Sequence, residues 1–250
     1  MKFILLYLLY ALMLSFGLRR RGLHAREKVV KEVESDNKEP KQILVIGATG
    51  GTGQELIQQL LERGYVVTAF VRNPEKLKVE HPHLTIAQGN VLDYDSVESA
   101  VRGHDAVVSA LGHKRFFYPT RILSKGTQNL LRAMNKFDVS RFVCETSLGI
   151  GGSAGRLGLY YTFFTIPVIL PFYFWDKALQ EKLIAESNTK WTIVRPGVLT
   201  NNPKHGDYRH GHDIGSYIGT VRISRADVAE FMINQITDDT YLNSAVSIAR

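Results

Sequence analysis

The amino-acid sequence predicts an α/β fold in which helices cover both faces of a parallel sheet. First, β-prone apolar runs alternate with segments of helical periodicity from residue 42 onward. Second, a glycine cluster at residues 47–53 directly follows the first of those runs. Third, a hydrophobic N-terminal segment precedes this region and is separated from it by a polar stretch. We therefore expect a hydrophobic anchor or signal-like segment over residues 1–21, a polar linker over 22–41, and one domain over 42–250.

The glycine cluster lies between a predicted strand, Ile43–Ile46, and a segment with apolar residues at helical spacing, Leu56–Leu61. Within it, Gly47, Gly50 and Gly53 form the pattern G-x-x-G-x-x-G. Such glycines permit a sharp turn, let backbone N–H groups approach a pyrophosphate, and let the helix pack close to the sheet. The helix N-terminus favours the phosphate charge. The context predicts a Rossmann-like, dinucleotide-binding domain. The expected contacts are Gly47, Thr49, Gly50, Gly51, Thr52 and Gly53.

The rest of the domain continues the alternation of strands and helices. Further strands are predicted over residues 66–71, 84–87, 105–112, 141–147, 191–194 and 245–248. Helices are predicted over residues 94–101, 124–137 and 176–187, and Ser224 is placed to cap another. A polar loop is expected over residues 200–219. Because parallel strands need long crossover connections, this order predicts a doubly wound parallel sheet.

The composition indicates a globular protein in a reducing compartment, without a nucleic-acid partner. Hydrophobic residues make up 44% of the 250 residues and charged residues 22%, which is ordinary for a globular domain. Cys144 is the single cysteine, so an internal disulfide is excluded. Of the net charge of +7, a net +4 lies in residues 1–41, beside the hydrophobic segment. That position predicts contact with a membrane surface and no nucleic-acid binding.

The polar loop holds three histidines, His205, His210 and His212. No cysteine or carboxylate pattern with metal-ligand spacing accompanies them. We therefore expect no metal site.

Residues 3–18 are apolar apart from Ser15 and are followed by Arg19, Arg20 and Arg21. The run is slightly shorter than the roughly 20 residues that a spanning helix usually needs. No small-x-small cleavage site directly follows it. We favour a signal anchor or an interfacial anchor over a cleaved signal peptide. By the positive-inside rule, the arginines predict a membrane-associated protein whose domain faces the cytoplasm.

A second apolar segment, residues 157–175, contains no charged residue. Hydropathy alone favours a membrane span, but Pro167 and Pro171 oppose one regular helix. Its place between a predicted strand and a predicted helix also opposes a span. Three interpretations remain: a buried, broken helix, a flap over a substrate pocket, or a patch that dips into a bilayer.

Several short motifs occur in the order found in the atypical short-chain dehydrogenase/reductases. Besides the glycine pattern they are Gly89–Val91, Ala110–Gly112, Thr146–Ser147, Trp191–Gly197 and Ile223–Phe231. Residues 42–250 most resemble the NAD(P)H-binding subfamily that contains flavin reductase/biliverdin-IX-beta reductase. The resemblance implies a Rossmann fold that uses a nicotinamide cofactor.

The resemblance also implies how the cofactor is held. In such folds the residue that ends the second strand reads the adenosine ribose, and an acidic residue there favours NAD. Here that residue is Arg72, followed by Lys76, so the expected cofactor is NADP, as NADPH. The resemblance further places Asn90 and Val91 beside the adenine, Leu111 and Gly112 along the nicotinamide ribose and pyrophosphate, and Pro196 and Val198 near the nicotinamide.

The family's catalytic triad has a partial counterpart. Short-chain dehydrogenases use a Ser that orients the substrate, a Tyr that donates a proton and a Lys four residues beyond the Tyr. Ser147, Tyr173 and Lys177 match these types and the Tyr-to-Lys spacing, although Tyr173 lies farther from Ser147 than is usual. The flavin reductase relatives carry a His where this chain has Gly197, so that proton donor is missing.

Two functions from different classes follow. The first is an NADPH-dependent oxidoreductase that reduces a flavin, quinone or hydrophobic carbonyl at a membrane surface. The second is a non-catalytic NADP(H)-binding regulator or assembly factor, because fold alone does not establish catalysis. An isomerase or epimerase with resident NAD fits less well, because Arg72 favours NADPH.

Overall fold

The structure is a computed structural model that describes residues 2–21 and 40–250. Nearly all of the predicted linker, residues 22–39, therefore lies outside the described residues. The strands are β1 (Gln42–Ile46), β2 (Val66–Val71), β3 (Leu84–Gln88), β4 (Ala106–Ser109), β5 (Arg141–Glu145), β6 (Lys190–Pro196), β7 (Val198–Thr200), β8 (Arg209–Gly211), β9 (Arg222–Ser224) and β10 (Ser244–Ala249). The α-helices are α1 (Lys2–Arg21), α2 (Gly51–Glu62), α3 (Tyr94–Val101), α4 (Ile122–Lys136), α5 (Pro171–Ala185) and α6 (Arg225–Asn234).

Eight strands form one sheet in the order β3-β2-β1-β4-β5-β6-β10-β8. They run parallel, except that β8 pairs antiparallel with β10 at the edge. The strand order reverses between β1 and β4, which is where doubly wound folds form their ligand crevice. The predicted Rossmann-like α/β fold is confirmed. The expected polar loop is more regular than predicted, since it contains β8.

Each face of the sheet carries its own apolar core, because successive residues of a strand point to opposite faces. Ile43 and Val45 of β1 pack with buried residues of α2 and α6. Leu44 and Ile46 pack with buried residues of α3, α4 and α5. Helices therefore cover both faces, as in the predicted doubly wound arrangement.

Two predicted helices begin earlier in the chain than the sequence indicated. Helix α4 begins at Ile122, and buried Asp176 accepts hydrogen bonds from the backbone N–H groups of Leu123 (2.9 Å) and Ser124 (3.1 Å). Helix α5 begins at Pro171, a residue type favoured in the first turn of a helix. The Asp176 carboxylate, on α5, thus accepts hydrogen bonds from N–H groups in the first turn of α4, which have no acceptor within their own helix.

The apolar segment 157–175 forms two helical pieces. A π-helix covers Tyr161–Ile169, and α5 starts at Pro171. The predicted break is therefore present. Burial is only partial, because Ile166 and Phe174 are buried whereas other large side chains of the segment are exposed. The exposed ones are Leu159, Tyr160, Phe164, Val168, Phe172 and Trp175.

Helix α1 packs along the domain beside this π-helix. The hydroxyl of Tyr7 donates to the carbonyl of Phe163, and that of Tyr10 donates to the carbonyl of Pro167 at 3.3 Å. Leu18 is buried in an apolar cluster that also contains Leu148, Ile150, Leu157 and Ile166. Among the described residues, Phe3–Arg20 is the candidate membrane span by length and composition, with a mean hydropathy of 1.5.

Candidate cofactor site

The turn between β1 and α2 depends on the absence of side chains. Gly47 has a φ of +78°, and a Cβ there would overlap the carbonyl group of Ala110. A Cβ on Gly53 would overlap the carbonyl group of Gly47. The N–H of Gly50 donates to the carbonyl of Gly47 at 2.8 Å and closes the turn. Gly47 and Gly53 therefore permit the tight packing between strand, turn and helix.

The outer side of the turn is open. A Cβ on Gly50 would meet only the carbonyl oxygen of Gly47, at 3.2 Å. Helix α2 starts at Gly51 without an acidic residue in its first turn, and the N–H groups of a helix's first turn have no intrahelical acceptors. The turn thus presents donors and a positive dipole end without a nearby carboxylate on the same turn. This arrangement fits a pyrophosphate.

Arg225 lies against this turn and was given no role in the sequence analysis. A Cβ on Gly51 would be 2.5 Å from Cδ and 2.6 Å from Nε of Arg225. The guanidinium donates to Oδ1 of Asn201 at 2.5 Å. Arg225 is the first residue of α6, directly after Ser224, whose Oγ accepts from the N–H of Asp227 at 3.0 Å. A cation is electrostatically unfavourable at a helix N-terminus. An arginine directly after the predicted cap Ser224 is therefore the sequence signal that could have identified Arg225.

Arg72 and Lys76 lie at the same edge of the sheet. Arg72 directly follows β2, which pairs with β1, and its side chain is exposed. Asn73 caps a short 3₁₀ turn, Pro74–Lys76, by accepting from the N–H of Glu75 at 3.2 Å. Among the described residues, neither cation forms an ion pair within 4 Å. Both cations are therefore available to an anionic ligand.

The loop after β3 carries the residues expected beside the adenine. Oδ1 of Asn90 accepts from the N–H of Leu92 at 3.1 Å, so the side chain shapes its own loop. Val91 is buried, and its carbonyl accepts from the side chain of Asn129 at 2.9 Å. The carboxamide of Asn90 keeps further hydrogen-bonding capacity for a ligand.

Tyr173 lies beside the loop that follows β4. A Cβ on Gly112 would be 3.4 Å from the hydroxyl of Tyr173. The Tyr173 ring packs edge-on against His113 and Phe116, with ring centroids 4.9 Å and 5.6 Å away. Leu111, which precedes Gly112 in the chain, is buried beside α4. The fold thus brings the predicted residues Leu111, Gly112 and Tyr173 together.

Lys177 joins Tyr173 to the end of β5. Its buried ammonium donates to the carbonyl of Thr146 at 3.1 Å and lies 5.3 Å from the centroid of the Tyr173 ring. Burial opposes the charge, but Tyr173 and Glu145 favour it, and the net effect raises the pKa of Lys177. Lys177 therefore stays cationic. Ser147 follows Thr146 and donates to the carbonyl of Leu148 at 3.0 Å, which leaves its oxygen able to accept.

Glu145 is a buried carboxyl between the glycine turn and Lys177. Burial raises its pKa, while Lys177, the hydroxyl of Thr52 and Arg225 oppose that rise. The Thr52 hydroxyl donates to Oε1 of Glu145 at 3.4 Å. The carboxyl thus bonds to the helix that would hold the pyrophosphate and attracts the ammonium of the predicted catalytic lysine electrostatically.

The segment after β6 explains why no histidine stands at position 197. A Cβ on Gly197 would be 2.8 Å from the carbonyl oxygen of Val221. The carbonyl of Pro196 accepts from the N–H of Leu148 at 3.0 Å, and the N–H of Val198 donates to Val221 at 2.9 Å. Any side chain at position 197 would require this β6–β7 connection to move. Pro196 and Val198 lie on either side of this constriction.

The loop histidines have separate partners. Nδ1 of His210 lies 2.8 Å from the Tyr241 hydroxyl, and Nδ1 of His212 lies 3.2 Å from the Ala245 carbonyl oxygen. The backbone N–H of His205 donates to Asp227 at 2.9 Å. These contacts tie the loop to β10 and α6.

Fold and glycine turn together define a Rossmann-type nucleotide-binding protein. The chain belongs to the NAD(P)H-binding family, whose model matches residues 47–239. This match confirms the family resemblance, and nicotinamide dinucleotide binding follows from it.

Two plant relatives are similar over most of the domain. An uncharacterized chloroplastic protein of Arabidopsis thaliana is 34% identical over 80% of this chain and 73% of its own length. The chloroplastic protein TIC 62 of Pisum sativum is 30% identical over 80% of this chain. The chain spans 41% of the length of TIC 62.

Solved structures show the same fold. A Rossmann-fold NAD(P)-binding family protein from Shigella flexneri has a TM-score of 0.64 and 26% identity, over 83% of this chain and 92% of that chain. A short-chain dehydrogenase/reductase from Veillonella parvula in complex with NADP has a TM-score of 0.68 and 21% identity, over 84% and 95%.

Proposed function

We propose that the protein is an NADPH-dependent oxidoreductase of the atypical short-chain dehydrogenase type, acting on a flavin, quinone or hydrophobic carbonyl at a membrane surface. The observation that carries this proposal is the placement of Tyr173 against Gly112, with the Lys177 ammonium beside its ring. Both side chains lie at the end of the sheet where the glycine turn presents its donors. Bound NADPH supplies the hydride.

The roles of the residues follow from their contacts. Tyr173 donates the proton that the reduced oxygen needs, and the fixed charge of Lys177 stabilises the tyrosinate that remains. The Thr146 carbonyl keeps Lys177 in place. To orient a carbonyl or quinone oxygen, the Ser147 hydroxyl would turn from the Leu148 carbonyl and donate to the substrate. A flavin or quinone ring accepts hydride readily, so the absence of a histidine at Gly197 does not prevent this chemistry.

NADPH is the proposed cofactor because the turn region is basic. Arg72 and Lys76 can bind a 2′-phosphate, and no carboxylate ends β2 to accept from a 2′-hydroxyl. Arg225 adds a cation next to Gly51, where the pyrophosphate is expected. The structure neighbour in complex with NADP is consistent with this choice.

A hydrophobic acceptor is supported by a cavity of about 510 Å³ between α1 and α5, a volume typical of small-molecule sites. Tyr10 and Leu14 line it from α1, and Phe172 and Trp175 line it from α5. The cavity and Tyr173 lie on neighbouring sides of α5. An apolar chain in this cavity would accompany a reacting group near Tyr173.

The alternative is a non-catalytic NADP(H)-binding regulator or assembly factor. It is supported by Gly197 and by a relative of 29% identity, the photosystem II assembly factor Ycf39 of Synechocystis, which matches 62% of this chain. TIC 62 provides a second relative whose name indicates no enzyme activity.

Turnover separates the two functions. The purified full chain is mixed with NADPH and a panel of flavins, quinones and hydrophobic carbonyls, and the loss of NADPH absorbance is followed. The oxidoreductase predicts acceptor-dependent oxidation, with loss of carbonyl reduction in Tyr173→Phe. Tight NADPH binding without oxidation across the panel would favour the regulator.

We also propose that residues 1–21 attach the protein to a membrane with the domain in the cytoplasm, because the anionic cytoplasmic leaflet attracts the three arginines that follow the apolar run. The support is the apolar helix Phe3–Arg20. Cell fractionation tests this: the full chain should sediment with membranes, and a chain lacking residues 1–21 should move to the soluble fraction. Retention of the shortened chain on membranes would make residues 157–175 the anchor instead.

A further inference from the structure

One side of α1 is fixed to the domain. Tyr7, Ala11, Leu14 and Leu18 are spaced by three or four residues and therefore share a helix face. Tyr7 bonds to the π-helix, Ala11 and Leu18 are buried, and Leu14 packs against the apolar cluster beneath. The domain thus holds α1 along the stretch 7–18.

That attachment is incompatible with a membrane-spanning α1. At 1.5 Å per residue, the stretch from Tyr7 to Leu18 covers about 17 Å of the helix. Residues 2–6 project about 7.5 Å beyond one end of it and residues 19–21 about 4.5 Å beyond the other, whereas the bilayer core is about 30 Å thick. To span a bilayer, α1 would have to leave the domain and expose the cluster that contains Leu148 and Ile150.

The opposite side of α1 is a large apolar surface. Leu5, Leu6, Leu9, Leu12, Met13 and Phe16 are exposed on it. Phe3 and Ile4, which lie in line with Tyr7 but precede it, are exposed at the N-terminal end of the helix. The neighbouring segment adds exposed Tyr160, Phe164, Val168, Phe172 and Trp175. Because α1 is bonded to Phe163 and Pro167 within that segment, the two sets border each other. We call these exposed residues the apolar face.

Charge indicates what covers the apolar face. Residues 2–21 contain no Asp or Glu, and Arg19 and Arg20 are exposed at the end of α1. Basic residues beside an apolar face are attracted to anionic lipid headgroups. The face also carries Tyr160 and Trp175, residue types that favour the membrane–water boundary. Two copies joined through this face would bring these like charges together.

We propose that the apolar face inserts into one leaflet of an anionic bilayer, so that the protein is monotopic and α1 does not span. This deepens the proposed attachment to a membrane: α1 and residues 159–175 act as one lipid-binding surface. The arginines lie at the level of the headgroups. The domain keeps its contacts with α1 in the bound state.

The two tryptophans provide an internal test. Trp175 lies on the apolar face and is 44% exposed, whereas Trp191 is 4% exposed in the core. The variant Trp191→Phe leaves Trp175 as the single fluorescent tryptophan, and Trp175→Phe leaves Trp191. The full chain is added to preformed vesicles of phosphatidylcholine and phosphatidylglycerol that carry brominated acyl chains. Trp175 fluorescence should be quenched and Trp191 fluorescence should not. Unquenched Trp175 in vesicle-bound protein would overturn the proposal.

Topology and charge give two independent measurements. A peptide tag placed before Met1 should be digested completely by protease outside sealed vesicles, whereas protection until detergent is added would show a spanning α1. Arg19→Gln/Arg20→Gln should weaken vesicle binding about 30-fold, since each cation contributes about 1 kcal/mol. The matched variant Lys78→Gln, an exposed cation in the domain, should not change binding. Equal effects of both changes would also refute the proposal.

This experiment does not depend on NADPH. If the protein inserts into one leaflet but does not oxidise NADPH, the lipid-binding proposal stands and only the proposed reductase activity is refuted. A dimer in lipid-free ultracentrifugation, together with unquenched Trp175, would assign the apolar face to a second copy and overturn the proposal.

Discussion

Replacing Arg225 by alanine should weaken binding of NADPH and NADH to the same extent. Arg225 lies over Gly51 at the start of α2 and is held by Asn201. The pyrophosphate is common to both cofactors, so a residue that contacts it cannot distinguish them. One hydrogen bond to a charged group contributes about 1.5–3 kcal/mol, which corresponds to a Kd about 10- to 150-fold higher.

Replacing Arg72 by alanine provides the matched contrast. Arg72 ends β2 and is proposed to contact only the 2′-phosphate, which NADH lacks. Because the Arg72 side chain is exposed, solvent screening places its contribution at the lower end of that range, about tenfold. Its loss should therefore raise the Kd of NADPH and leave the Kd of NADH unchanged. Arg72→Asp should invert the preference.

Fluorescence titration of both cofactors against wild type and the two alanine variants separates the roles. Thermal unfolding of each variant serves as the control for folding. If Arg225→Ala changes the NADPH/NADH ratio, or leaves both dissociation constants unchanged, the assignment of Arg225 to the pyrophosphate is wrong. Equal affinities for both cofactors in the wild type would show that Arg72 does not read the ribose.

Three further variants test the glycine turn, Lys177 and the buried ion pair between Glu181 of α5 and Arg195 of β6. Gly50→Val should abolish NADPH binding without unfolding the protein, because only the Gly47 carbonyl approaches a Cβ there. The control is Gly152→Ala, where a Cβ meets nothing within 4 Å, and it should leave the NADPH affinity measured by titration unchanged. Lys177→Ala should weaken both cofactor binding and turnover, measured by titration and NADPH oxidation. Glu181→Ala should lower the free energy of unfolding in urea by about 3–5 kcal/mol, because it strands buried Arg195, now paired at 2.6 Å and 3.0 Å.

The sheet was predictable because its signals are local. Central strands such as β1, with residues 43–46, and β4, with residues 106–108, contain continuous apolar runs, which are typical of parallel strands buried on both faces. Helix starts were less predictable. Helix α4 begins at Ile122 because Asp176, more than 50 residues later, accepts from its first turn. A cap supplied from a distant helix leaves no pattern in the flanking sequence.

The residues of the cofactor site were likewise predictable only where the sequence signal is local. The glycine turn was predicted from seven consecutive residues, 47–53, because its requirements are all local. Arg225 was missed because it reaches Gly51 only when α6 packs against α2. The close approach of Val221 to Gly197 is likewise a product of β7 pairing with β9. Residues that tertiary packing brings to a local motif cannot be found from the motif alone.

Helix α1 shows a further limit of sequence reasoning. Nearly every residue between Phe3 and Leu18 is apolar, so hydropathy does not distinguish the buried positions Ala11 and Leu18 from their exposed neighbours. The distinction comes from the carbonyls of Phe163 and Pro167, which accept from tyrosines on one side of α1. The residues four positions after Phe163 and Pro167 are Pro167 and Pro171, which have no N–H to donate to those carbonyls in an α-helix. The π-helix that Pro167 interrupts leaves acceptors for α1, so the irregular segment and the N-terminal helix stabilise each other.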